Sequence, residues 1–298
     1  MGARSSIRTA CGPCSAAAHR LGANRDALRF IHHTSIAVTK VTVPLATLTA
    51  HLDARLEIHA VPDYANAMNG VQCGHRGPVR AVASAVDASE RTIRGAIECG
   101  ANLLLVHHGL FWGGSQPVVG ARYERMRLLI EHDIAVYSAH LPLDVHAQFG
   151  NSKLLADALA LEVSDGFARF ESVACGVQGV ADLATEDVLQ RVTAFSALHD
   201  SQVVASAFAL GCRTRRWAIC SGAGAGVATL DEASAAGVDT LIVGEGPHWT
   251  AVDAPERGLV IIYAGHYATE TLGVRALGAH LQETFNLPHH ALSSPTGL

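Results

Sequence analysis

Three short segments of this 298-residue chain place histidines and carboxylates where they could bind metal ions. They are LLLVHHGLFWGG at 103–114, YSAHLPLDVH at 137–146 and IIYAGHYATE at 261–270. The candidate metal ligands within them are His107, His108, Asp144, His266 and Glu270, and the second segment also contains His140. Imidazole and carboxylate ligands without a thiolate suit Zn, Fe, Mn, Co or Ni. The pattern therefore predicts a metal centre that is not of the zinc-finger type.

Each segment brings its polar residues just past the C-terminal end of a predicted strand. In open α/β sheets this edge is where ligands bind. A helix that starts at His266 would carry Glu270 on the same face, because the two residues are four positions apart. Adjacent residues of a regular strand point to opposite faces, so His107 and His108 cannot easily share one metal. Either Gly109 lets the chain turn sharply, or the two imidazoles serve different metals.

The rest of the chain alternates predicted strands with predicted helices. Strands are expected at 79–86, 102–106 and 134–140, and helices at 44–56, 89–100, 123–133, 151–161 and 266–281. The continuous apolar run at 102–106 is typical of a strand that is buried on both faces. Residues 215–246 repeat the order of elements found in 79–108, which indicates two related lobes. We therefore predict an α/β fold of two related α/β lobes with mixed or parallel sheets.

Three regions are expected along the chain. Residues 1–42 are rich in Arg and Ser and poor in acidic residues, which is typical of an irregular leader. This leader is interpreted as a transit-like segment, a disordered tail or the product of a wrongly chosen start codon. Residues 43–150 form the first lobe. Residues 151–298 form the second lobe, and its segment from His266 to Glu270 returns to the metal site.

Composition and charge argue against several classes of protein. The net charge of −5 and the lack of a Lys/Arg cluster give no reason to expect a nucleic-acid groove. No apolar run reaches the roughly 20 residues that a membrane-spanning helix needs. The seven cysteines are scattered, which is typical of a protein whose thiols stay reduced inside the cell. We expect a cytoplasmic protein.

Four other motifs are weaker candidates for function. CGPC at Cys11–Cys14 is the redox tetrapeptide of thioredoxin-like folds, but no strand precedes it. SGAGAGVATL at 221–230 follows a strand, as phosphate-binding loops do, but lacks the third glycine of the dinucleotide fingerprint. We interpret it as a tight turn, with a secondary role in holding a substrate phosphate left open. The pairs His32–His33 and His289–His290 are interpreted as solvated.

The segments HHGLFWGG, HLPLDVH, GNSKLLADAL and AGHYATE, in this order, resemble those of a known family. It is the dinuclear-metal family of type 2 GTP cyclohydrolase I homologues, also called the NGG-interacting-factor-three-like family. PDYANAMNGVQ at 62–72 resembles the family's N-terminal Asn-Gly-x-Gln segment, and the resemblance covers about 44–285. It implies a two-lobed α/β subunit, a ring-shaped homohexamer, and two divalent metal ions per subunit that face an internal cavity.

The resemblance also implies a role for each candidate ligand. The implied ligand sets are His108 with Asp144 for one metal, His107 with His266 for the other, and Glu270 as the bridge between them. His140 matches a nearby histidine of the family and would lie next to the metals or contact the substrate. Because imidazole titrates nearest to neutral pH, His140 is also the candidate catalytic proton shuttle.

Two functions of different classes follow. The first is a metal-dependent hydrolase of the GTP cyclohydrolase 1 type 2-like family, acting on a nucleotide or related small molecule through a metal-activated water. The alternative is a non-catalytic metal-binding scaffold or regulatory partner. A thioredoxin-like oxidoreductase that uses the CGPC cysteines is a third interpretation.

Overall fold

The computed structural model describes residues 41–298. The leader, with the CGPC motif at Cys11–Cys14 and the pair His32–His33, lies outside the described residues. Residues 41–298 belong to one compact unit, and the lobe boundary at residue 150 stays a prediction. Among the described helices, none is long and apolar enough to cross a lipid bilayer.

The secondary structure elements alternate along the described chain. The first part contains β1 (Val43–Pro44), α1 (Leu45–Arg55), β2 (Gly70–Cys73), β3 (Pro78–Val79), β4 (Val82–Asp87), α2 (Glu90–Glu98), β5 (Leu103–His108), α3 (Ala121–Glu131), β6 (Ala135–Ser138), α4 (Leu141–Asp144) and α5 (Asn151–Ala158). The second part contains β7 (Val163–Phe170), β8 (Val173–Ala184), α6 (Thr185–Ala197), β9 (Val204–Ala205), β10 (Arg213–Cys220), α7 (Val227–Ala236), β11 (Thr240–Val243), α8 (Thr250–Glu256), β12 (Val260–Tyr263), α9 (His266–Phe285) and β13 (His289–Ala291).

Two larger sheets form the centre of the molecule. The first has five strands in the order β13-β4-β5-β6-β2, all parallel except β2, which is antiparallel to β6. The second has six strands in the order β7-β8-β10-β11-β12-β9, of which β10, β11 and β12 are parallel. The other strands of the second sheet pair antiparallel. The predicted α/β fold with mixed sheets is therefore confirmed.

Strand β5 is apolar on both faces because helices cover both. Leu103 and Leu105 lie in a buried cluster with residues of α1 and α9. Leu104 and Val106 point the other way, into a second cluster with residues of α2 and α3. Because neither face is exposed to water, the strand can be apolar on both faces from Leu103 to Val106. The histidine pair then follows at the C-terminal edge of the sheet.

Local signals set the ends of the helices. The Ser89 hydroxyl accepts a hydrogen bond from Thr92 N, and Ser89 N donates to the Thr92 hydroxyl, a capping box that starts α2. The predicted start of this helix is correct to one residue. α9 runs to Phe285, four residues past its predicted end, and stops where Asn286 adopts a left-handed conformation.

Helix α9 packs against both sheets. Near its start, Ala268 lies in the core of the second sheet. Further along, Val274, Leu277 and Leu281 lie in the core of the first sheet. The chain then forms β13, which pairs with β4. The last part of the chain thus returns to the first sheet.

The histidine pair near the C-terminus was expected to be solvated, and the structure places both residues in this last strand. His289 and His290 are both half-buried in β13. The Nε2 of His289 lies 2.8 Å from the hydroxyl of Ser84, a buried residue of β4. The pair therefore belongs to the sheet, and its three-residue strand is too short to show a recognisable alternation.

Leu277→Ala tests the packing of α9 on the first sheet. The side chain of Leu277 is 1% exposed, so its removal should lower the free energy of unfolding by about 2–5 kcal/mol. Urea denaturation measures this change. The control Ile130→Ala removes a side chain that is 70% exposed and should change stability by less than about 0.5 kcal/mol. Equal effects of the two substitutions would contradict the packing.

Candidate metal centre

The candidate ligands meet at the C-terminal edge of the first sheet. Three pieces of chain converge there: the end of β5, the turn from β6 through α4, and the first turns of α9. The side chains that they bring together are His107, His108, His140, Asp144, His266 and Glu270. All six residues predicted from the sequence therefore lie in one cluster.

Glu270 lies at the centre of this cluster and is only 3% exposed. Its Oε1 lies 3.5 Å from Nε2 of His107. Its Oε2 lies 3.4 Å from Nε2 of His108 and 3.0 Å from Nε2 of His266. The Oδ2 of Asp144 lies 3.5 Å from the same Nε2 atom of His107. The two oxygens of Glu270 thus face different histidines.

These distances group the ligands differently from the resemblance. His107 and Asp144 lie on the Oε1 side of Glu270, whereas His108 and His266 lie on its Oε2 side. The resemblance implied the crossed arrangement, with Asp144 beside His108 and His266 beside His107. The adjacent histidines still lie on opposite sides of one carboxylate, with ring centroids 4.8 Å apart.

The neighbouring strands explain this grouping. The Nδ1 of His107 donates a hydrogen bond of 3.0 Å to the carbonyl oxygen of Ala139, just after β6. The Nδ1 of His108 donates one of 2.9 Å to Oδ1 of Asp87, the last residue of β4. β4 and β6 flank β5 on opposite sides. The ring of His107 is therefore held on the side of β6 and α4, where Asp144 lies, and that of His108 on the side of β4.

The other two histidines are held in the same way. The Nδ1 of His140 lies 2.8 Å from Oδ1 of Asp63, and the Nδ1 of His266 lies 2.9 Å from Oε1 of Glu245. An oxygen acceptor requires Nδ1 to carry the proton of a neutral imidazole, so the Nε2 lone pair stays free. Hydrogen bonds of this kind orient metal-bound histidines and set their tautomer.

The cluster fits bound metal ions. Separations of 3.4–3.5 Å between Nε2 and carboxylate oxygen atoms are too long for good hydrogen bonds. They match the distance of about 3.4 Å between two ligand atoms that each lie about 2.1 Å from a tetrahedral metal. Within residues 41–298, the buried Nε2 of His107 has no hydrogen-bond partner, and the buried Nε2 of His266 and Oε2 of Glu270 have none beyond their 3.0 Å contact with each other. Unpaired buried polar atoms are costly, so these atoms suit a role as ligands of a cation.

Electrostatics favours cations at the same place. Burial alone would lower the pKa of His107, but Asp144 and Glu270 outweigh it and raise this pKa to about 10. Burial likewise opposes the effect of Glu270 and Glu245 on His266, whose pKa is raised to about 9. Burial would raise the pKa of Glu270, but the facing histidines hold it well below its usual value. Protons and metal ions would therefore compete for the same imidazole nitrogen atoms.

Several residues that orient the ligands were missed from the sequence. Asp63, Asp87 and Glu245 accept the Nδ1 hydrogen bonds, and the side-chain amide of Asn151 donates to Oδ1 of Asp144 at 2.8 Å. Asp87 ends β4 and Glu245 follows β11 in the sequence GEG. A search for carboxylates at every predicted strand end would have found both.

A cavity of about 760 Å³ opens beside the cluster. The turn at 221–226, interpreted from the sequence as a tight turn, contributes to its lining. Cys175 and Cys220 line the cavity as well. Burial raises the pKa of Cys175 to about 12, so this thiol stays protonated near neutral pH. This agrees with a ligand set of imidazoles and carboxylates.

Known proteins share both the sequence and the fold of this chain. A family model described as Duf34/NIF3 (NGG1p interacting factor 3) matches residues 43–296. A protein named GTP cyclohydrolase 1 type 2 homolog from Deinococcus radiodurans is 38% identical over 253 residues, which cover 84% of this chain and 93% of that protein. Its namesake from Halobacterium salinarum is 38% identical over 257 residues, covering 85% and 99%.

Solved structures agree with this relationship. The protein ybgI, described as of unknown function, has a TM-score of 0.76 at 30% identity and covers 85% of this chain and 99% of its own. TTHA1606 from Thermus thermophilus has a TM-score of 0.72 at 35% identity, with the same coverage. HcgD from Methanocaldococcus jannaschii, at 22% identity and a TM-score of 0.74, shares the fold. The chain therefore belongs to the Duf34/NIF3 (NGG1p interacting factor 3) family.

Proposed function

We propose that the cluster binds two divalent metal ions per chain and that the protein is a metal-dependent hydrolase of a nucleotide or related small molecule. One observation carries this proposal: the two oxygens of the buried Glu270 face separate sets of histidine Nε2 atoms. A carboxylate between two such sets is suited to bridging two metals. The names of the relatives, GTP cyclohydrolase 1 type 2 homologs, support the choice of substrate class.

The proposed ligand sets follow the distances. His107, Asp144 and Oε1 of Glu270 would hold one ion. His108, His266 and Oε2 of Glu270 would hold the other. When bound, two such ions would act as Lewis acids and would supply a nucleophilic water near neutral pH. The identity of the metal is open among Zn, Fe, Mn, Co and Ni.

His140 is proposed to move a proton during the reaction. Its Nδ1 is held by Asp63, whose other oxygen accepts a hydrogen bond of 2.9 Å from Leu141 N. The side chain of Asn69 reinforces this contact by donating to Asp63 at 2.8 Å and accepting from His140 N. His140 lines the cavity, so its Nε2 is the atom that can accept a proton there or release one.

We further propose that six chains assemble into a ring and that the protein works in the cytoplasm. The resemblance to the family's ring-shaped members supports the assembly. The five cysteines of the described chain are free thiols, which suits a reducing compartment. No nucleic-acid or membrane partner is proposed.

The first test combines metal removal with Glu270→Gln. Purified protein should release two divalent ions per chain to EDTA and lose its hydrolysis of a nucleotide and phosphoester panel. Glu270→Gln should lose at least one ion per chain by elemental analysis, because the amide is a weaker ligand than the carboxylate. The control Glu283→Gln changes an exposed glutamate of the same helix and should keep both ions. Full metal content in Glu270→Gln would remove the bridging role, and turnover that EDTA does not affect would remove the hydrolase.

A second test uses the close approach of the 221–226 turn to Glu270. Gly222 has a φ of 62°, and a Cβ atom there would lie within 2.0 Å of Oε1 of Glu270. Gly222→Ala should therefore displace the carboxylate and reduce metal content. The matched control is Gly226→Ala, because Gly226 is extended and a Cβ there meets no described atom within 4 Å. Equal metal content in the two variants would contradict this geometry.

His140→Ala tests the proton-transfer role. The variant should keep both metal ions, and kcat should fall by about 10²–10⁴-fold, the usual contribution of general acid–base catalysis. Steady-state kinetics and elemental analysis measure the two effects. His132→Ala, which removes an exposed histidine of the surface, should change neither. Loss of metal from His140→Ala would make His140 a ligand instead, and unchanged kcat would exclude it from the reaction.

A further inference from the structure

An aromatic wall lies next to the metal cluster, formed by Tyr64, Trp112 and Phe170. The three residues come from separate segments: the loop before β2, the turn after β5, and the end of β7. The chain has only 16 Phe, Trp and Tyr residues in 298, and three of them lie at this one cavity. All three line the cavity of about 760 Å³ described above, a volume typical of small-molecule sites.

Building on the proposed function, we propose that this wall binds a flat, uncharged heteroaromatic ring and holds it against the metal centre. The ring of Tyr64 lies 4.8 Å from that of Phe170 and 6.4 Å from that of Trp112, measured between centroids. The ring planes are tilted, by 51° and 56°, so the wall offers several aromatic faces and edges. Aromatic faces and edges of this kind attract another ring more than an aliphatic chain.

The wall directly adjoins the cluster. The indole of Trp112 lies 4.7 Å from the ring of His140 and 5.7 Å from that of His108, both edge to face. A ring bound against Trp112 would therefore lie next to these histidines. This places the bound ring itself, and not a remote phosphate, next to the metals.

The charges around the cavity favour an uncharged ligand. Arg169 is the one Lys or Arg side chain in its described lining, and Glu232 lies next to it, with its Oε2 accepting a hydrogen bond of 3.0 Å from Arg169 N. Asp87 is a further acidic residue in the lining. Four carboxylates in the lining balance the four charges of the two proposed divalent ions: Asp87, Asp144, Glu232 and Glu270. A single guanidinium is then left for the several negative charges of a triphosphate. A nucleoside-like heterocycle brings none.

Calorimetry on the metal-loaded full-length protein tests the wall, with guanosine, ribose and guanosine triphosphate in excess MgCl₂ as probes. Guanosine should bind and ribose should not. The triphosphate should bind no more tightly than guanosine. Comparable binding of ribose would overturn the aromatic part of the proposal, and tighter binding of the triphosphate would overturn its preference for uncharged ligands.

Variants of the wall locate the binding. Tyr64 is 53% exposed, so Tyr64→Ala should fold normally and weaken guanosine binding by about tenfold, the usual value of one stacking contact. Tyr64→Phe keeps the ring and should bind like the unmodified protein. Tyr123→Ala is the matched control, because Tyr123 is 50% exposed on α3, outside the cavity lining. Unchanged affinity in Tyr64→Ala would overturn the proposal.

Metal analysis of the same samples separates this proposal from the hydrolase. If both ions are bound and EDTA-sensitive hydrolysis is measured, but guanosine does not bind, the aromatic site is wrong and the hydrolase stands. If guanosine binding depends on Tyr64 in protein that holds no divalent metal, the aromatic site stands and the metal centre is wrong.

Discussion

A carboxylate buried among imidazoles is the interaction on which the rest of this structure depends. Burying the charge of Glu270 is costly unless cations or hydrogen-bond donors face it. Three Nε2 atoms, from His107, His108 and His266, lie within 3.0–3.5 Å of its oxygens. They can converge only if β5 ends where α9 begins. The buried charge therefore makes the position of the central strand β5 depend on that of α9, the longest helix of the described residues.

The surrounding acidic residues extend this dependence to both sheets. Asp87 comes from β4 of the first sheet, whereas Glu245 follows β11 of the second. Each fixes one imidazole through its Nδ1, so the direction of each Nε2 lone pair depends on a residue distant in sequence. α9 completes the arrangement because its apolar residues pack in the cores of both sheets. The centre is thus a junction of the two sheets.

Local patterns allowed the elements and the residue types of the cluster to be predicted, because alternation, caps and i, i+4 spacing act over a few residues. The strand before His107 and the helix that carries Glu270 are examples. The grouping of the histidines was not predictable from the sequence, since it depends on which strands flank β5. The orienting residues Asp87 and Glu245 look like ordinary acidic residues, and only the folded chain brings them to the imidazoles.

The pairing of β4 with β5 has a consequence for how these two strands reach the correct register. A one-residue shift in the register of β5 would move each of its aliphatic side chains to the other face of the sheet. That face is also covered by helices, so the side chains would stay buried. Burial alone therefore discriminates weakly between the observed register and the shifted one. In the observed alignment Asp87 stands opposite His108, and their hydrogen bond forms only there. The polar residues at the strand end thus help to set the register of β5 in addition to their place in the candidate metal centre.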